Sequence, residues 1–214
     1  MVKDHIRSSG LTTATAGLLA LFGVALLLSA TVTSAGLQSS EVSSSEVLLA
    51  VNPAQSTVHW SVDSSLHLVH GTFALKSGDF YFDPETGRAG GQIVVSAASG
   101  ESGNGSRDAR MHKEILETPK YPDVVFRPMQ IDGHIAPAGA SDAKLHGVLS
   151  IHGAQHDLVA PVHAELNGDH WKGTAQFEVP YVTWGIKDPS NFLLKVKRVV
   201  NVELELSGEI KTPK

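Results

Sequence analysis

Two-residue alternation of apolar and polar side chains is the feature that most constrains the fold of this chain. The pattern recurs over residues 57–62, 145–151, 158–166, 175–181 and 200–206. In the last of these segments, Val202 and Leu204 alternate with Asn201 and Glu203. Successive side chains of a strand point to opposite faces, so each segment predicts a strand with one buried face. The chain is therefore predicted to be all-β.

One segment departs from the alternation. Between Ser106 and Glu117 the apolar residues Met111 and Ile115 fall at helical spacing, and Pro119 follows. This predicts one short helix with Ser106 as its N-cap. About eight strands with a single helix suit a closed antiparallel barrel, which leaves no exposed strand edge, while a β-sandwich is the main rival. Periodicity alone does not separate the two architectures.

Composition and missing motifs exclude several classes of function. Seventeen Lys and Arg stand against 22 Asp and Glu, a net charge of -5, which gives no general reason to expect nucleic-acid binding. The absence of cysteine excludes disulfides, iron–sulfur clusters and Cys-based zinc sites. No nucleophile elbow, zinc-protease motif, phosphate loop or complete dinucleotide-binding motif occurs. We therefore predict no cofactor, no metal site, no nucleic-acid partner and no enzymatic activity.

The N-terminal segment, residues 1–35, has the order of a secretory signal peptide. Lys3 and Arg7 precede the apolar residues 18–28, and Thr33-Ser34-Ala35 is a candidate cleavage site. An uncleaved membrane anchor is the alternative, because the weaker apolar run 14–30 just reaches spanning length. Both interpretations predict an exported protein, periplasmic in a bacterium.

A serine-rich stretch separates this segment from the alternating strands. Five of the seven residues 39–45 are serine, which predicts a solvated linker over residues 36–48. The barrel domain is accordingly assigned to residues 49–214.

Because the chain contains eleven histidines, an acid–base site or a metal site has to be considered. Most fall on the polar phase of their strands and are predicted to point outward. His70 instead shares the phase of nearby leucines, so a bulge near Gly71 is predicted, which would turn His70 toward the interior. Asp108 and His112 lie four residues apart on the predicted helix and are neighbours. An enzyme that uses these three residues on a lipophilic substrate is the alternative function.

Several motifs occur along the chain in a fixed order. They are Asn52-Pro53-Ala54-Gln55-Ser56, Gly71-Thr72-Phe73, Ser99, Arg107-Asp108-Ala109-Arg110-Met111, Lys120-Tyr121-Pro122, Phe126, Gly147-Val148-Leu149-Ser150-Ile151-His152-Gly153 and Trp184-Gly185-Ile186. In order and spacing this set resembles the YceI-like family, also called the lipid- or polyisoprenoid-binding family, over roughly residues 50–210. Asn52 and Gln55 depart from the Asp and His that are common in the family.

The resemblance implies an extended, lipocalin-like antiparallel β-barrel whose apolar interior holds a long isoprenoid chain. It implies carriage or storage of a lipid rather than turnover. We expect the barrel interior to be lined by Trp60, Val62, Phe73, Phe126, Ile131, Leu149, Ile151, Phe177 and Val179. A ligand-free barrel that acts as an envelope or stress interaction module is a further alternative.

Two further features are expected at one end of the barrel. Pro189 breaks the strand pattern beside an apolar run, so residues 184–195 are predicted to form either a lid that includes Trp184, Phe192 and Leu193 or a loop that plugs the barrel end. Arg107 and Asp108 at the start of the helix are expected to have a structural role, and Arg107, beside a glycine-rich loop, is also the candidate contact for a ligand head group. The predicted partners are thus a long-chain isoprenoid or other lipid and, transiently, a membrane; the oligomeric state does not follow from the sequence.

Overall fold

The computed structural model describes residues 46–211, which form a closed antiparallel β-barrel with one short helix. The strands are β1 Val47–Val51, β2 Thr57–Asp63, β3 Leu68–Phe73, β4 Leu75–Phe82, β5 Ala89–Ser96, β6 Asp123–Asp132, β7 Gly139–Ile151, β8 Ala154–Asn167, β9 His170–Val179 and β10 Val200–Lys211. The predicted all-β barrel is confirmed. The barrel begins at Val47, so it includes two residues that the sequence assigns to the linker. The predicted signal peptide or anchor lies outside the described residues.

Barrel closure involves eight strands in one ring. The hydrogen-bonded order is β1-β4-β5-β6-β7-β8-β9-β10, and β10 pairs back onto β1. Strands β1 and β2 both pair with β10 and are separated by the 3-10 turn Pro53–Gln55. The hairpin of β2 and β3 therefore lengthens the wall beside β10. Gly208 allows the closing strands to approach, since a Cβ there would collide with the carbonyl of Ala50. Because the ring of strands is closed, the fold is a barrel and not a β-sandwich.

The β2–β3 hairpin corrects one prediction. Its register is unbroken, with Trp60 opposite Gly71 and Ser61 opposite His70. Because Trp60 is buried, Gly71 faces the interior and His70 lies exposed on the outer face. The predicted bulge and the inward orientation of His70 are wrong. Leu68, one of the leucines that suggested the phase, is itself exposed.

The helix differs from the predicted one in its N-cap and in its last turn. The α-helix α1 spans Gly105–Arg110 and continues as a π-helical turn, Met111–Ile115. Its N-cap is Asn104 rather than the predicted Ser106, because the Asn104 side chain accepts a hydrogen bond of 3.0 Å from the Arg107 N–H and satisfies a free donor of the first turn. Within residues 46–211, no helix is long and apolar enough to cross a bilayer.

Two buried clusters lie toward opposite ends of the barrel. The cluster near the β8–β9 turn contains Phe82, Leu166 and Trp171, and the Trp171 ring meets Phe80 edge-on at 5.4 Å. The other cluster contains Leu149, Leu158, Val179, Tyr181 and Ile186. It lies near the β7–β8 turn and the long segment between β9 and β10. The barrel interior lies between these two clusters.

Candidate functional site

A cavity of about 440 Å³ occupies the barrel interior between the two clusters. This volume falls within the usual range for ligand pockets. Its walls are almost wholly hydrocarbon, with aliphatic and aromatic side chains from nearly every strand. All nine residues predicted for the interior line this cavity. Their contact with a ligand stays a prediction.

Small side chains on two neighbouring strands help to keep the cavity open. Across β8 and β9, Ala164 lies opposite Gly173 and Val162 lies opposite Ala175. Ala160, on the same inward phase of β8, is buried and also lines the cavity. Sequence reasoning missed these residues. The available signal was the run of small residues on the inward phase of two successive strands.

The length of the longest strands suits an extended occupant. Strands β7 and β8 contain 13 and 14 residues. At a rise of about 3.3 Å per residue and a tilt of about 40°, they span about 34 Å along the barrel axis. An apolar space of this kind accommodates an extended hydrocarbon chain better than a compact polar molecule.

Arg107 lines the cavity and is held in place by its neighbours. Its Nε donates to Ser102 Oγ at 2.7 Å, and Nη2 donates to the Ser102 carbonyl at 2.8 Å. Ser102 Oγ in turn donates to the Asp108 carboxylate. Burial opposes ionisation of Asp108, but the hydrogen bonds from Ser102 and the charge of Arg107 outweigh it and hold its pKa below the ordinary value. The guanidinium thus keeps a fixed position at the cavity wall.

The segment between β9 and β10 forms part of the cavity wall at this end. Ile186, Pro189 and Leu194 face the cavity. Arg110 Nη2 donates to the Pro189 carbonyl at 3.3 Å, and Lys187 pairs with Glu114 at 3.0 Å, so the segment is tied to the helical region. We call residues 63–68, 105–116 and 181–199 together the rim.

The three predicted lid residues do not line this cavity. Trp184 stacks on His156, with ring centroids 4.1 Å apart, and packs against the nearby buried cluster. Phe192 and Leu193 project into solvent and are 93% and 84% exposed. Asn191 explains this placement, because its side chain caps a turn that puts residues 192 and 193 at its apex and Leu194 on the cavity side.

Tyr181 anchors the start of this segment and should affect stability in alkaline solution. Its hydroxyl donates to the Lys197 carbonyl at 3.0 Å, and burial, assisted by the charge of Asp188, raises its pKa to about 12. Between the ordinary Tyr pKa of 10.0 and about 12, the unfolded chain releases this proton while the folded protein keeps it. Folding stability should therefore fall as pH rises through this window.

Urea unfolding at several pH values, with Tyr181→Phe as the comparison, measures this effect. The variant should be less stable near pH 8, since it leaves a carbonyl without its donor, a cost of about 1 kcal/mol. Above pH 10 it should lose less stability than the parent protein. Parallel losses in the two proteins would contradict the assignment to Tyr181.

The three candidate acid–base residues do not share one site. His70 lies on the outer barrel face, and Asp108 is bound to Ser102. His112 Nε2 lies 2.8 Å from the Gly100 carbonyl oxygen. Over the part of the chain that the structure describes, no three His, Asp or Glu residues form a metal-binding group.

Known structures share this architecture. BcnA from Burkholderia cenocepacia matches with a TM-score of 0.60 at 17% identity, over 74% of this chain and 99% of that one. A polyisoprenoid binding domain from Saccharophagus degradans, implicated in plant cell wall breakdown, matches with a TM-score of 0.59 at 15% identity, over 76% of this chain and 98% of that one. At these identities the likeness establishes the fold. No match was found among curated proteins.

The amino-acid sequence also matches a protein-family model. The family model of the YceI-like domain matches residues 49–208, which include the strands around the cavity, the helix and the β9–β10 segment. This match covers most of the chain and spans the motifs around Arg107 and Trp184. The chain therefore belongs to the YceI-like family.

Proposed function

We propose that this protein is an exported, non-catalytic carrier or storage protein for a polyisoprenoid or similar long-chain lipid. The observation that carries the proposal is the apolar cavity of about 440 Å³ inside a closed barrel. The structural likeness to a polyisoprenoid binding domain supports the same class of ligand. A barrel whose side chains filled its interior would favour a ligand-free interaction module instead.

The energetics support delivery as well as binding. Hydrocarbon burial gains about 0.8 kcal/mol per CH₂, so the part of a long chain that fills a cavity of about 440 Å³ would nominally bind tightly. A membrane is itself an apolar solvent for such a chain, so its competition must offset most of this gain. Transfer then depends on an exit beside the membrane, and Arg107 is the proposed contact for a polar head group.

A non-catalytic role fits the placement of the polar residues. Asp108 positions Ser102 and Arg107, and His112 is engaged with a backbone carbonyl. A structural role accounts for both arrangements, since Ser102 and Asp108 together fix Arg107 at the cavity wall. The cavity wall supplies apolar contact over most of its area, which is suited to retention of a hydrocarbon chain.

Export is proposed from the N-terminal segment and can be tested separately. If residues 1–35 are a cleaved signal peptide, the periplasmic fraction of a bacterial host should contain a protein that begins at Gly36. Intact-mass measurement of this fraction decides the point. A full-length species retained with the membrane would support the anchor instead.

Native mass spectrometry of the gently purified full chain tests lipid carriage. We expect a recurrent mass addition, and organic extraction should release a long-chain isoprenoid or other long-chain lipid. The protein should remain folded after extraction and take up the extracted lipid again. Protein that is consistently free of lipid, and that takes up none when supplied, would overturn the proposal.

A further inference from the structure

Exposed apolar side chains are concentrated at the rim. Six large hydrophobic residues are strongly exposed within residues 46–211, and four of them, Leu66, Leu68, Phe192 and Leu193, belong to the rim. Leu66 lies in the β2–β3 turn and is 74% exposed, while Phe192 is 93% exposed. Apolar groups concentrated in this way mark interaction surfaces more often than scattered single residues do.

The two exposed turns are joined to each other. The N–H of Ser65 donates to the Lys195 carbonyl at 2.8 Å, and the Lys195 N–H donates to Ser65 Oγ at 3.2 Å. Ser64 and Val196 form an isolated β-bridge beside them. The apolar tips therefore belong to one connected surface.

The Phe192–Leu193 apex is held in a defined conformation. The Asn191 side chain accepts from the N–H groups of Leu193 and Leu194 at 2.9 and 2.8 Å, and the Asn191 N–H donates to the Leu194 carbonyl at 2.8 Å. An apex that is already ordered loses little conformational entropy when it binds. Its side chains protrude, which suits entry into a soft surface.

Positive charge surrounds this apex although the whole chain is acidic. The rim contains seven Lys and Arg residues and four Asp and Glu residues, a net charge of +3, whereas the full chain carries a net charge of -5. Three of the basic residues near the apex are paired: Lys187 with Glu114, Lys197 with Asp63 and Arg198 with Asp188. Lys195 forms no ion pair within the described residues. Basic residues beside apolar tips complement an anionic phospholipid surface.

The cavity lies directly behind this surface. Leu66, His67, Pro189 and Leu194 contribute to both the rim and the cavity lining. We propose that the rim docks on an anionic phospholipid bilayer, with Phe192 and Leu193 inserted among the lipids and the cavity facing the membrane. This inference rests on the proposed lipid-carrier function and identifies where the cargo enters and leaves.

Site-specific fluorescence on the full chain tests the docking. Because the sequence contains no cysteine, Leu193→Cys can be labelled uniquely with an environment-sensitive nitrobenzoxadiazole probe, and Val159→Cys serves as the matched control. Val159 is 50% exposed but lies on β8, outside the rim. The apolar N-terminal stretch can bind vesicles by itself. The docking proposal is therefore tested by the difference in fluorescence response between the probes at positions 193 and 159.

Vesicles of phosphatidylethanolamine with about 30% phosphatidylglycerol should give a blue shift and a rise in emission at position 193 only. Nitroxide-labelled lipids should quench this emission, and neutral phosphatidylcholine vesicles or high salt should weaken the response. Lys195→Gln should lower the vesicle affinity by about fivefold, the equivalent of about 1 kcal/mol per basic residue.

Two results would overturn the docking proposal. One is an unchanged or equal response at positions 193 and 159; the other is a response at 193 that follows protein concentration without vesicles, which would indicate a second copy of the chain at the rim. The lipid content of the same labelled proteins separates the two proposals. If the protein retains lipid but the probe at position 193 does not respond to vesicles, the docking proposal alone is wrong. If the probe responds to vesicles but the protein never takes up lipid, the carrier proposal is wrong.

Discussion

Ala160→Trp is expected to abolish lipid retention or to shorten the lipid that is retained. Ala160 is 4% exposed, lines the cavity and belongs to the small residues that keep the interior open. An indole at this position would occupy the space proposed for the chain, at an overpacking cost of about 1–3 kcal/mol. Native mass spectrometry and analysis of the extracted lipid measure the change directly.

The neighbouring Val159→Trp is the matched control. Val159 lies on the opposite phase of the same strand and is 50% exposed, so its indole would point away from the cavity. Circular dichroism and thermal unfolding first establish that both variants are folded. If Ala160→Trp does not fold, Ala175→Leu fills the same cavity with a smaller side chain. Equal lipid content and chain length in a cavity-filling variant and the control would contradict the proposed binding site.

Trp171→Ala is expected to cause the largest loss of stability among single core substitutions considered for this barrel. Trp171 is 4% exposed, contacts Phe80 edge-on and donates its indole N–H to the Ala50 carbonyl at 3.2 Å. Removal of a buried aromatic side chain typically lowers the free energy of unfolding by about 3–5 kcal/mol. Denaturant unfolding of lipid-free protein measures this loss without a contribution from bound ligand.

Trp184→Ala provides the comparison. Trp184 is only half-buried and stacks on His156 at one end of the barrel, so its removal should cost less. The same experiment therefore distinguishes loss of the cluster that joins β1, β4 and β9 from loss of an outer contact. An equal or larger loss for Trp184→Ala would show that the cluster around Trp171 is not the main source of stability.

The barrel and the inward phase of most strands could be predicted from the sequence. Strand phase is a local property, since alternate side chains of an extended backbone necessarily point to opposite faces. Trp60 and Val62, or Phe177 and Val179, therefore reveal their shared direction without knowledge of their partners. The same reasoning failed for His70, because the neighbouring Leu66 and Leu68 are apolar but exposed at the rim.

The placement of rim residues required the tertiary structure. Hydrophobicity predicted a lid at Phe192 and Leu193, but the Asn191 turn directs them outward. A hydrophobic residue lowers its free energy by leaving water, but local sequence does not say whether a surface within the same protein is there to receive it. The contacts of this turn with residues 64 and 65, far away in the chain, determine its position.

The sequence by itself determined which segments are strands, which face of most strands is apolar and which family motifs the chain carries. Only the tertiary structure decided that the strands close into a ring and that the interior is open rather than filled. Closure requires pairing between β1 and β10, which are separated by almost the whole domain. An open interior depends on the side-chain sizes that meet across strands, such as Ala164 opposite Gly173. Both properties depend on contacts between residues that are distant in the chain, and the local periodicity of the sequence does not reveal such contacts.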